Sequence, residues 1–157
     1  MTTLFDMMIQ TSQNGETKMS YSILKTTILS LMVLNGLFFC ANIYVFGNTP
    51  AAIAMHNDLV PTVGPIIANT KILICFLVGL CYLTAAWGIT RGRNGFALVG
   101  FGGFALFDGF YLIELLLWGA SYPRVWLDFS IFGGISLIIG IFSWLEWKKR
   151  MIMTGDE

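Results

Sequence analysis

The stretch "FGGFALFDGFYLIELLLWG", Phe101 to Gly119, is apolar or glycine at almost every position, yet it carries two acids, Asp108 and Glu114. What surrounds it decides what it is. The apolar run to which it belongs extends from Gly95 to Trp118, and three others stand beside it: Thr26 to Phe46, Ile66 to Ile89 and Val125 to Trp147. Roughly 20 apolar residues are what an α-helix needs to cross a bilayer. Hydrophobic residues make up 56% of the chain and charged residues 11%, far below the quarter or so that a soluble protein carries. In lipid, an irregular segment or lone strand leaves its backbone polar groups unsatisfied, so each run is read as a helix. The predicted fold is all-α: an integral membrane, four-helix antiparallel transmembrane bundle with short interfacial helices. It forms a single domain over residues 1–157, with residues 1–22 a cytoplasmic N-terminal segment.

The links and charges give the topology. "TRGRN", Thr90 to Asn94, joins the second and third runs and is short enough to force an antiparallel hairpin. Lys18, Lys25, Arg91, Arg93, Lys148, Lys149 and Arg150 fall on one side of the predicted bundle, and only Lys71 and Arg124 near the other. The positive-inside rule then puts both termini on the cytoplasmic side of a cell's inner or plasma membrane, or on the equivalent side of an organelle membrane. Tyr21, Trp87, Trp144 and Trp147 mark the inner interface, and Tyr44, Trp118, Tyr122 and Trp126 the outer one. In the first outer loop, Thr49 as N-cap and Pro50 at the first helical position predict a short surface helix. "TLFDMMIQ" near the N-terminus is read as either a short inner-face helix or a disordered segment. It lacks the basic and apolar regions of a secretory signal peptide.

Asp108 lies about 15 Å from the outer end of its helix, taking the α-helical rise, which is near the midplane. An Asp at a helix centre costs roughly 2.5–3.5 kcal/mol to insert, and each Leu, Ile or Phe returns about 0.3–0.6 kcal/mol. The span has enough of these to insert, but Asp108 is expected to face the bundle interior or a wet cavity. Asn35 on the first span and Ser136 on the fourth are level with it as hydrogen-bond partners, and Tyr111 lies nearby. Two readings stay open for Asp108: a protonated interhelical hydrogen-bonding group, or a group that exchanges a proton or cation.

Glu114 lies nearer the outer rim, at the depth of Lys71, and the two are expected to form an ion pair between hairpin neighbours. Arg124 and Asp128, four apart, are expected to pair along the fourth span unless Arg124 snorkels to the headgroups. Asp108 and Glu114 are separated by about 120° around the helix, which argues against a paired-carboxylate catalytic site. Gly95, Gly102 and Gly109 recur every seven residues, with Ala105 beside them. Such a stripe lets another helix approach closely, either within this chain or from another subunit. Asn35 and Asn42 share a face of the first span and are read as interhelical hydrogen-bonding groups.

Several chemistries are disfavoured. His56 is the single histidine, so a bis-histidine haem site is not available from this chain alone. Cys40, Cys75 and Cys81 lie in apolar runs without CxxC or metal-ligand spacing and are read as small core residues. No cofactor or metal is expected. Lys plus Arg and Asp plus Glu are nine each, so no bulk electrostatic partner such as nucleic acid is expected. The glycines follow no strand and are not phosphate loops. "WKKR", Trp147 to Arg150, reads as a stop-transfer and headgroup anchor.

Four spans with short links and both ends inside resemble several small membrane families, the DoxX-like proteins among them. Rotary-ATPase proteolipids also combine glycine-rich helices with a membrane acid, but here both share one helix and "TRGRN" departs from their pattern. Small multidrug transporters carry their acid in the first span, not the third. No family is recognised on these grounds. The expected function is a non-catalytic membrane subunit or assembly factor that packs against other transmembrane proteins or a second copy. The alternatives are a small proton- or cation-coupled transporter or channel using Asp108, and a membrane enzyme or lipophilic-ligand binder around Asp108, Tyr111 and Asn35.

Overall fold

A computed structural model of the chain describes residues 15–48, 64–118, 126–127 and 129–154, with side chains described over 21–41, 70–113, 115–116, 126–127 and 129–149. The described residues are helical apart from one turn and hold no strand. Helix α1 is Gly15–Asn48, α2 is Gly64–Thr90, α3 is Ala97–Trp118 and α4 is Gly134–Thr154. A 3₁₀ turn, Asn94–Phe96, leads into α3, and a π-helical turn, Phe129–Gly133, leads into α4. Four segments are long and apolar enough to cross a membrane: Tyr21–Ala41, Thr70–Thr90, Asn94–Ile113 and Phe129–Lys149. Helix α1 begins well before the first apolar run. At the α-helical rise it is about 50 Å long, well beyond a bilayer core of about 30 Å. The predicted loop helix at Thr49 and Pro50, the segment "TLFDMMIQ", and His56 lie outside the described residues.

The helices pack in chain order, α1 on α2, α2 on α3 and α3 on α4, with a thinner seam between α1 and α4. Glycines set the close approaches. A Cβ on Gly36 would lie 2.8 Å from the Leu83 side chain and 3.1 Å from the Gly79 carbonyl, and one on Gly79 would lie 2.8 Å from the Gly36 carbonyl. Gly88 receives the Phe96 ring, Gly103 receives Cys81 and Tyr82, and Gly140 receives the Phe104 ring. Close backbone approach at small residues is how apolar helices gain contact in lipid, where no hydrophobic force drives them together.

The α2–α3 turn is a Schellman motif. Gly92 has φ +71°. The Arg93 N–H donates to the Gly88 carbonyl at 2.8 Å and the Gly92 N–H to the Ile89 carbonyl at 3.1 Å. These bonds satisfy carbonyls that the end of α2 would otherwise leave open.

The core is aromatic in the middle. Phe39 meets Phe107 at 4.9 Å between ring centres and Tyr82 and Phe132 at 6.3 Å. Phe38 stacks on Phe132 at 5.5 Å, so two neighbouring rings of α1 close its seam with the start of α4. Cys75 is buried and Cys40 and Cys81 are partly so.

Candidate functional site

Among the described residues, the fully buried polar side chains are Asn35 on α1 and Ser136, Ser143 and Glu146 on α4. Three of them share one helix at spacings of seven and three residues, which places them on one face. That face is otherwise filled by Ile139, Gly140 and Phe142, all buried. Leu137, Ile138 and Ile141 point outward. A polar line therefore runs down the inner side of an apolar helix.

Its first station is near the start of α4. The Tyr82 hydroxyl and the Ser136 hydroxyl are hydrogen-bonded at 2.6 Å. Asp108, half-buried on α3, faces the same serine through its carboxyl group. The sequence placed Asp108 and Ser136 level with each other, and the structure brings them together. Asn35 is one helical turn from Phe39 and three residues from Met32, and all three are buried. The Asn35 Nδ2 and the Asp108 Oδ1 are both buried without a hydrogen-bond partner among the described residues, so these two atoms do not bond to each other. Tyr111 takes a different place. Its ring packs on Phe107 at 4.6 Å and on Phe129 at 6.3 Å, and the Lys71 ammonium lies 4.6 Å from its centre. That is a cation–π contact.

The second station is Ser143. Its hydroxyl oxygen is buried with no hydrogen-bond partner among the described residues, although serine on a helix commonly bonds back to the preceding turn. Ser130 does so to the Trp126 carbonyl at 2.8 Å, and Thr26 and Thr27 do so on α1 at 2.9 Å. Ser143 instead lies against Gly100, where a Cβ would come within 2.6 Å of its oxygen and 2.9 Å of the Ala85 side chain.

The third station is Glu146, which the sequence analysis did not single out. Its side chain is 2% exposed. The Tyr21 hydroxyl donates to Oε1, the Lys149 ammonium donates to Oε1 at 2.9 Å, and Lys25 reaches Oε2 at 3.4 Å. Lys149 also donates to the Tyr21 oxygen and lies 3.9 Å from the centre of that ring. A lone carboxylate buried here would be costly, whereas one enclosed by two ammonium groups and a phenol is compensated. Two residues away, Trp144 meets Phe101 at 5.4 Å and Trp147 at 5.0 Å.

The remaining sequence candidates separate. The side chain of Glu114, the side chain of Asn42, and Arg124 and Asp128 lie outside the described residues. The small-residue stripe turns away from the other described helices: Gly102, Ala105 and Gly109 are exposed, Gly95 is half-buried, and a Cβ on Gly102 or Gly109 would meet no described atom within 4 Å. Packing inside the chain uses Gly100 and Gly103 of the same helix instead. Tyr82, Ser143 and Glu146 were not singled out from the sequence, and Tyr21 and Lys25 were read there only as marks of the inner interface and of orientation. The available signal was the spacing of Ser136, Ser143 and Glu146 on an otherwise apolar helix.

Chemically, hydroxyls that both give and accept protons line up with a carboxyl group. Ser136 is hydrogen-bonded to the Tyr82 phenol and is also faced by the Asp108 carboxyl group. Among the described residues, no three His, Cys, Asp or Glu side chains stand together as a metal site would require. No protein-family model, curated protein or solved structure is matched by this chain.

Proposed function

We propose that this protein is a small multi-pass membrane protein whose four helices alternate in direction, with both ends on the cytoplasmic or equivalent side. It serves as a non-catalytic subunit or assembly factor for other transmembrane proteins. The alternation is supported by the contact pairs Gly88 with Phe96, Gly100 with Ala85 and Gly103 with Tyr82, and by Gly140 with Phe104 and Gly100 with Ser143. The observation that carries the function is the outward stripe of α3. Gly102, Ala105 and Gly109 leave room for a second helix to approach closely. The partner is a transmembrane helix of another subunit or of a second copy, with the bilayer around both. Replacing Gly102 and Gly109 together by Leu is expected to leave the chain inserted and folded but to remove a stoichiometric partner from the complex isolated in mild detergent. A wild-type chain that migrates alone as a monomer would falsify this reading.

A second reading has its own observation. Asp108, Asn35 and Ser143 do not satisfy one another within the described chain, and buried polar groups without partners call for an explanation. Intramembrane acids commonly carry protons or cations. In this reading the protein is a small proton- or cation-coupled transporter or channel with Asp108 as the exchanging group. In sealed vesicles, Asp108→Asn is expected to abolish coupled flux while leaving the fold intact, because the amide keeps hydrogen bonding but cannot exchange a proton. Full flux in that variant would remove the reading.

A further inference from the structure

We propose that the buried face of α4 is a hydrated proton-access path, running from the Tyr21–Lys25–Glu146–Lys149 cluster past Ser143 to Ser136 and Asp108. The proposal deepens the ion-coupled reading of Asp108 and rests on it. At the α-helical rise, Ser136 to Glu146 spans about 15 Å, so the path would join the membrane interface to the midplane. It is the polar line of α4, and its atoms point to water. The oxygen of Ser143, wholly buried, and Nδ2 of Asn35, 7% exposed, have no hydrogen-bond partner among the described residues, and neither has Asp108 Oδ1. Buried polar atoms in this state are the usual ligands of internal water, which binds through two to four such contacts. Gly100 packs closely against this point of the line, since a methyl group there would come within 2.6 Å of the Ser143 oxygen.

Glu146 is enclosed by two ammonium groups, which leaves an excess of one positive charge at the entrance. A proton meets the same field as a metal cation, but it advances by relay between oxygens, with no metal ion to strip of its water. Each water or hydroxyl accepts a proton on one side and releases one on the other, so it is left unchanged. At the far end an O–H bond of hydronium breaks, an O–H bond forms on the Asp108 carboxylate, and a water molecule remains.

The test is water-to-protein magnetisation transfer by solid-state NMR on the full chain in bilayers. Water signal is expected to reach Ser143 and Ser136 as quickly as it reaches Lys149, while outward-facing Leu137 and Ile138 at the same depth lag. If both serines lag with Leu137, the path is absent. Ser143→Val, which fills the middle of the line, is expected to slow transfer to Ser136 while Lys149 keeps its rate. An unchanged rate at Ser136 in a folded Ser143→Val chain overturns the route. Flux measurements separate the two ideas. Wet serines without Asp108-dependent flux uphold the path and end the transport reading, whereas Asp108-dependent flux with dry serines upholds transport and ends the path.

Discussion

Gly100 and Gly102 stand two residues apart on α3 and face opposite surroundings. The first is pressed between Ser143, Ala85 and Met32, and the second has open space beyond it. Gly100→Ala should therefore destabilise the fold by about 1–3 kcal/mol through overpacking. Gly102→Ala should stabilise the isolated chain by up to about 1 kcal/mol through helix propensity. Unfolding titrations in mixed micelles, followed by tryptophan fluorescence, would distinguish the two, and equal effects would contradict this packing. Glu146 offers a second contrast. Glu146→Ala leaves Lys25 and Lys149 facing each other without an anion and should cost about 1–3 kcal/mol. Glu146→Gln keeps an oxygen for the Tyr21 hydroxyl and should cost less. The same titration checks the order, and a neutral Glu146→Ala would mean the cluster holds nothing together.

At the scale of the element, the α2–α3 turn depends on one dihedral angle. Gly92 has φ +71°, and an L-residue there should lose about 1–2 kcal/mol. Gly92→Ala is expected to lower the midpoint of the same titration and Gly92→Asn to lower it less, since Asn tolerates the left-handed region. The sequence showed that "TRGRN" had to be a tight link, and Gly92 is the residue that makes it one. That the chain forms four long apolar helices was also legible, because long apolar runs admit few alternatives in lipid. Their faces were not. A helix that is apolar all round carries no stripe to show which side meets protein. So the glycines at 95, 102 and 109 suggested internal packing as readily as docking, and the internal contacts at Gly36, Gly79, Gly88 and Gly140 went unread. Asp108 beside Ser136 was found because an acid in mid-span has few places to go. Glu146 was missed because the adjacent "WKKR" gives basic residues at a membrane edge a sufficient reason of their own.

At the scale of the molecule, α1 and α4 touch more sparingly than the helices adjacent in sequence. Their seam is closed by side chains: Phe38 and Phe39 on Phe132 towards one end, and Tyr21 and Lys25 on Glu146 at the other. The ionic contact spans most of the chain, whereas the tight backbone contacts join consecutive helices. Sequence could supply the consecutive pairs from the short link and the alternation of apolar runs. It could not supply the closing pair, which requires knowing that Lys25 and Glu146 come to the same depth on the same side.

This closure has a consequence for biogenesis. During synthesis α1 emerges before α4, and Lys25 must wait for Glu146 until α2, α3 and most of the α4 span have been made. A nascent chain halted within α4 would present Tyr21 and Lys25 without their carboxylate and leave the Phe38 and Phe39 rings uncovered by Phe132. The Glu146 contact thus marks a bundle whose fourth helix has been made, and an interrupted chain leaves that edge of α1 bare.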